Sequence, residues 1–88
     1  MKLKYQFVTQ KVSDGYVAVV VGAQTKAFSG LVRMNESASF LFSLLDQNRT
    51  ERELVDAALE RYDLTEEDAC AFVRKFLEHL RSEELLED

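Results

Sequence analysis

His79 and Cys70 are the side chains of this 88-residue sequence with the widest reactive repertoire, one an imidazole and one a thiol. A nucleophilic pair needs both within hydrogen-bond reach of each other. They fall nine positions apart in a stretch with helical spacing, which separates them by about 13 Å along a helix axis. They form no dyad. His79 reads as a solvated surface residue and Cys70 as a small packed one. A single cysteine and a single histidine also fall short of the four-ligand set that a structural zinc ion needs. Glu66, Glu67 and Asp68 stand in a row, but at a helix start carboxylates serve the positive end of the helix. Gly15, Gly22 and Gly30 are isolated, with neither GxxxxGK[ST] nor GxGxxG around them. The residues offer no active site. The expectation is a protein that binds rather than transforms, not an enzyme, with no metal and no cofactor.

The elements that would carry a binding surface follow from the pattern of apolar residues. The chain is expected to form one domain over residues 1–88, with a sheet at about 5–34 and helices at about 36–84. "YQFVTQKV" partly alternates apolar and polar, as a half-buried strand does. "SDG" at 13–15 is a turn signal. "YVAVVV" at 16–21 is β-branched and apolar almost throughout, which suits the centre of a sheet. "AFSGLVRM" at 27–34 is a third strand, and in a 1-2-3 meander the first and third strands are edges.

Three helices follow. Asn35 is a good N-cap and Glu36 sits favourably behind it. Ala38, Leu41, Phe42 and Leu45 keep helical spacing, and "DQNR" ends that helix. Thr50 and Glu53 form a T-x-x-E capping box, with Leu54, Val55, Ala58, Leu59 and Tyr62 as the apolar face behind it. Thr65 caps the third helix. Ala69, Phe72, Val73, Phe76, Leu77 and Leu80 make a wide apolar stripe, and Leu85 and Leu86 return the tail to the core. The fold class is α+β: a three-stranded antiparallel sheet followed by three helices, in a helix-turn-helix-like packing.

Composition narrows the function. With 47% hydrophobic and 31% charged residues the chain is globular rather than disordered. Its longest apolar run, Tyr16 to Val21, is far short of the ~20 residues of a membrane span. The start, "MKLKYQFV", lacks the apolar stretch of a signal peptide, and Cys70 has no partner for an internal disulfide. These features point to a cytoplasmic protein with no membrane role. Net charge is −5, divided as +4 over residues 1–34 and −9 over residues 35–88. An acidic helical half opposes a phosphate backbone, so no nucleic-acid partner is expected.

What remains is surface. The third strand offers a free backbone edge with Lys26 and Arg33 at its flanks and nothing charged between. Gly30 within it suits either a β-bulge or the close approach of a second backbone. An extended peptide adding to this edge would be β-augmentation.

At this point the residues resemble a family. Met34-Asn35, then Leu44-Leu45-Asp46, Thr50-x-x-Glu53-Leu54-Val55, Tyr62-Asp63, and Val73-x-x-Phe76-Leu77-x-x-Leu80 ending near Leu85-Leu86 are similar to the PqqD-like proteins, recognition elements and peptide chaperones of ribosomal peptide maturation. The resemblance covers about residues 5–86. It implies a winged helix-turn-helix-like fold, and that the leader segment of a precursor peptide is held against the third strand and third helix and presented to a modifying enzyme, often a radical S-adenosylmethionine enzyme. Carried onto this chain, the peptide contacts fall on Phe28, Ser29, Gly30, Leu31, Val32 and Arg33 of the strand, and on exposed parts of Val73, Arg74, Leu77 and Arg81 of the helix. Two positions depart from the family pattern. Phe72 stands where Asp is frequent, which alters the groove. Glu84 stands where Gly is frequent, which removes the easy left-handed cap, so the third helix is expected to run longer. Two other readings stay open: a structural module or homodimer pairing through the same edge, and a winged-helix DNA-binding protein.

Overall fold

A computed structural model describes residues 1–21 and 31–87. Along the chain run β1 (Lys2–Leu3), β2 (Phe7–Val12), β3 (Gly15–Val20), β4 (Leu31–Met34), α1 (Glu36–Leu44), α2 (Glu51–Arg61), α3 (Glu66–Ser82) and β5 (Leu86–Glu87). β2, β3 and β4 form an antiparallel sheet in that order, and β1 pairs antiparallel with β5. The α+β arrangement of a three-stranded meander before three helices is the one the sequence pattern implies. The β1–β5 ribbon is an addition to it.

Register explains the division of faces. Phe7 opposes Val20, Val12 opposes Gly15, Ala18 opposes Val32, and Tyr16 opposes Met34. Because strand side chains alternate, Ala18, Val20 and Val32 point together at the helices, where they are buried. Phe7 joins them edge-to-face with Phe42 of α1, ring centroids 5.1 Å apart. Pairing of Val12 with Gly15 leaves Ser13 and Asp14 as the tight turn. Gly15 is required there: it holds φ +157°, and a Cβ on it would sit 2.6 Å from the Met34 carbonyl oxygen.

Each helix begins on the cap expected for it. Asn35 Oδ1 accepts from the Ala38 N–H at 2.8 Å. Thr50 Oγ1 accepts from the Glu53 N–H at 3.1 Å, while Glu53 Oε1 accepts from the Thr50 N–H at 2.8 Å, completing the capping box. Thr65 Oγ1 accepts from the Asp68 N–H at 3.1 Å. Each such cap typically contributes about 1 kcal/mol.

The end of α3 corrects an expectation. The helix does not run on past the missing glycine: it stops at Ser82. Glu84 itself takes the left-handed conformation, φ +58°. The Glu84 N–H donates to the Arg81 carbonyl and the Leu85 N–H to the Leu80 carbonyl, both at 3.0 Å. Those are the two bonds of a Schellman cap. Leu80 and Leu85, the apolar pair that accompanies such a cap, are both fully buried. Burial of Leu85 and Leu86 therefore outweighs the roughly 1–2 kcal/mol that a left-handed L-residue costs.

One contiguous core joins Ala18 and Val32 of the sheet, Leu41 and Phe42 of α1, Leu54, Val55 and Ala58 of α2, the stripe of α3, and Leu85 and Leu86. The width of the α3 stripe follows from this: it covers α2 and the returning tail, while α1 packs on β3 and β4. On the surface, Arg52 ties α2 to α3, with Nη2 at 2.7 Å from both Asp56 Oδ1 and Glu66 Oε1. The hydrogen bonds to Asp56 and then Glu66 hold the guanidinium pKa above its ordinary value. All three side chains are exposed, so solvent screening keeps the stabilisation small.

Candidate functional site

β4 pairs with β3 along one side, Val19 with Leu31 through Tyr16 with Met34, and no described strand pairs with its other side. Among the described residues nothing pairs with its backbone groups on that side, which leaves them to a further strand. The pleat sends Leu31 and Arg33 away from the helices and Val32 toward them. Accordingly Leu31 is 50% exposed and Val32 only 6%. Arg33 is exposed. Phe28, Ser29 and Gly30 lie outside the described residues, as does the part of the expected third strand before Leu31.

The helical half of the expected site divides. Val73 and Leu77 have no exposed surface at all. Their side chains belong to the core, so the expectation that exposed parts of them face a peptide is corrected. The physical reason is the stripe's second duty: positions 73 and 77 are covered by neighbours in the same core that takes in α2 and the tail. Arg74 and Arg81 are exposed. Seven positions apart, they share one face of α3, about 10 Å from one to the other along the axis. Arg33 and Arg74 carry no ion pair among the described residues. Phe72 is half-buried and packs against the core.

Open clefts among the described residues lie beside β2 and at the β2–β3 turn. The larger, about 620 Å³, lies beside β2 over Phe7 and Phe42, with Lys2, Lys4, Asp46 and Glu87 among its lining. The smaller, about 260 Å³, lies at the β2–β3 turn and the end of β4, lined in part by Arg33 and Asn35. Neither is lined by α3. Among the described residues, β4 thus presents a backbone edge and Arg33, and α3 presents Arg74 and Arg81 with Glu78 between them on the same exposed face, Arg81 also donating to Met1 Sδ at 3.8 Å.

The cations of α2 are engaged within the molecule. Arg52 is held by Asp56 and Glu66. The Arg61 guanidinium lies 4.7 Å from the centre of the Phe40 ring, with Glu36 3.9 Å away. An α2 so neutralised is poorly suited to phosphate contacts. Among the described residues there is no group of three or more His, Cys, Asp or Glu side chains that could hold a metal ion. No described helix is long and apolar enough to cross a membrane.

The family model described as Coenzyme PQQ synthesis protein D (PqqD) matches residues 18–86. The chain belongs to the PqqD family. The matched span runs from within β3 to the tail and so contains both β4 and α3 of this PqqD-family chain. Among solved structures, the chain is similar to "TbiB1 in Complex with the TbiA(beta) Leader Peptide". The likeness has a TM-score of 0.74 at 25% identity, over 99% of this chain and 95% of that one. No curated protein matches.

Proposed function

We propose that this PqqD-family chain binds the leader segment of a ribosomally made precursor peptide as an added strand on β4, and presents the precursor to a modifying enzyme without catalysing a reaction itself. The observation that carries the reading is the near full-length likeness to TbiB1, a protein whose structure is in complex with a leader peptide, on a chain whose β4 edge is open among the described residues.

The chemistry of such binding follows from the edge. Each backbone bond made there contributes a net ~0.5–1.5 kcal/mol, independent of leader sequence. Selectivity then comes from side chains. On an added strand, one parity faces outward beside Leu31 and Arg33, and the other faces the Val32 side. Arg33, Arg74 and Arg81 favour a leader with carboxylates, and they act on register and encounter more than on raw affinity. Phe28, Ser29 and Gly30 extend the proposed contact toward the start of the strand. Val32, Val73 and Leu77 support it from the core. The partner that the reading assigns is a peptide-modifying enzyme, of which radical S-adenosylmethionine enzymes are one class.

A titration of isotope-labelled protein with the leader of a neighbouring precursor gene tests this. Amide shifts concentrated at 31–34 and around Arg74 and Arg81 are expected. Absence of shifts at high peptide concentration, with β4 amides already protected from exchange, would overturn the reading in favour of self-pairing through the edge.

A further inference from the structure

The sheet has a second edge. β2 ends the β2-β3-β4 order, and no described strand pairs with its outer side. Register shows which of its backbone groups face that way. Val12 opposes Gly15 across the two-residue turn, and the Val21 N–H donates to the Gln6 carbonyl at 2.9 Å. Bonded and non-bonded pairs alternate along an antiparallel ladder, so Gln6, Val8, Gln10 and Val12 bond β3. Thr9 and Lys11 then turn their N–H and C=O groups off the sheet. At six residues β2 is longer than the four described residues of β4. It pairs with β3 residue for residue, without a bulge, and contains no proline. Its one charged side chain is Lys11, which shares the inward parity of Phe7 and Thr9 yet is exposed. An inward lysine on an edge deters any second strand that sets no carboxylate near it.

The surroundings say which strand can accept that lysine. The cleft of about 620 Å³ runs along this edge, lined by Phe7, Thr9 and Phe42 and by the carboxylates of Asp46 and Glu87. Around the edge, Lys2, Lys4 and Lys11 are balanced by Asp14, Asp46 and Glu87, so neither an acidic nor a basic peptide is favoured. A second copy of β2 matches the balance charge by charge. Laid antiparallel about a two-fold axis at Thr9, it sets Thr9 against the second copy's Thr9, a favourable cross-strand pair. The second copy's Lys11 then falls opposite Phe7, with the parity that directs it into the cleft beside Asp46. Val8 meets the second copy's Gln10, and the second copy's Asp14 comes level with Lys4. Other registers fit less well. An axis at Lys11 sets lysine against lysine, and an axis at Phe7 carries Gln10, Lys11 and Val12 past the start of the strand.

We propose that a second copy of this chain adds to the β2 edge, antiparallel about Thr9, with Lys11 of each copy held on the Asp46 side of the other's cleft. The two sheets become one of six strands, with β4 outermost at both ends and left to the leader. The inference does not rest on the leader-binding reading. A single strand edge buries less than the ~800 Å² per partner of a standard interface, so the association is weak, with a Kd of about 10–100 µM.

Sedimentation of the full chain without leader, from about 5 µM to about 500 µM, tests this, with amide exchange compared at about 50 µM and about 500 µM. A monomer–dimer equilibrium is expected, with exchange slowing at Thr9 and Lys11 as the dimer fills. Thr9→Pro removes an outward N–H at an edge position, where proline is tolerated, and should weaken the dimer by about tenfold or more. Thr9→Lys sets two cations across the axis and serves if the proline variant does not fold. Lys11→Asp should weaken the dimer by about fivefold, and adding Asp46→Lys to it should restore the dimer to within about twofold. A chain that stays monomeric at the highest concentration would overturn the proposal. So would a dimer that neither Thr9 variant weakens, or one that Lys11→Asp weakens and Asp46→Lys fails to restore. A dimer whose slowed amides are Leu31 and Arg33 overturns it too, since it assigns the association to the β4 edge.

Discussion

β4 and α3 are the two elements assigned to one groove, and they keep different things for a ligand. α3 spends its apolar side chains on the core: Ala69, Val73, Leu77 and Leu80 are fully buried and Phe76 nearly so. It leaves mainly charged and small residues outside. β4 buries one side chain, Val32, half-exposes another, Leu31, and retains a backbone edge. A strand satisfies half its backbone per neighbour, whereas a helix satisfies its own. The edge therefore supplies sequence-independent adhesion and the helix supplies charge. This division suits a module that must hold leaders by their backbone and choose among them by a few side chains.

The comparison can be broken at several points. Leu77→Ala should lower stability by about 2–5 kcal/mol in chemical denaturation, as a fully buried leucine does, and leave leader affinity of the folded protein unchanged. A loss of affinity without loss of stability would return Leu77 to the groove. Leu31→Asp should reverse the pattern, with thermal midpoint nearly constant and leader affinity weaker by about tenfold, roughly 1.4 kcal/mol. Glu84→Gly should stabilise the protein by about 0.5–1 kcal/mol, the left-handed cost removed less the added chain entropy, with no change in leader binding. Arg74→Gln should weaken an acidic leader by a few tenths to ~1 kcal/mol, an effect that fades in high salt because the charge is exposed.

Much of the fold is legible in the sequence because its signals are local. Asn35, Thr50 with Glu53, and Thr65 announce their helices through bonds made within three residues, and the structure contains each of these bonds. The β-branched run after "SDG" similarly places β3 between two neighbours. The end of α3 departs from its local signal for the converse reason. Glu84 lacks the intrinsic preference for its conformation, and the distant anchor of Leu85 and Leu86 in the core imposes it. The burial of Val73 and Leu77 is also non-local. Helical spacing identifies an apolar stripe, but how much of it is covered depends on what the tail and α2 do. The β1–β5 ribbon gives no periodic signal at all, since each strand is two residues long.

That ribbon sets an order of events. Leu3 pairs with Leu86, and the Lys4 N–H donates to the Leu85 carbonyl at 2.9 Å, across almost the whole sequence. Formed first from a disordered chain, such a closure costs roughly 4 kcal/mol of loop entropy. Formed last, on a sheet and helices already packed, it costs only the ordering of a few residues. The ribbon is thus a late contact in folding and an early one to go in unfolding. Substitutions at Leu3 or Leu86 accordingly speed unfolding while leaving the folding rate nearly untouched. The residues that join the two ends of the described fold govern how long the molecule stays folded, and have little say in how fast it gets there.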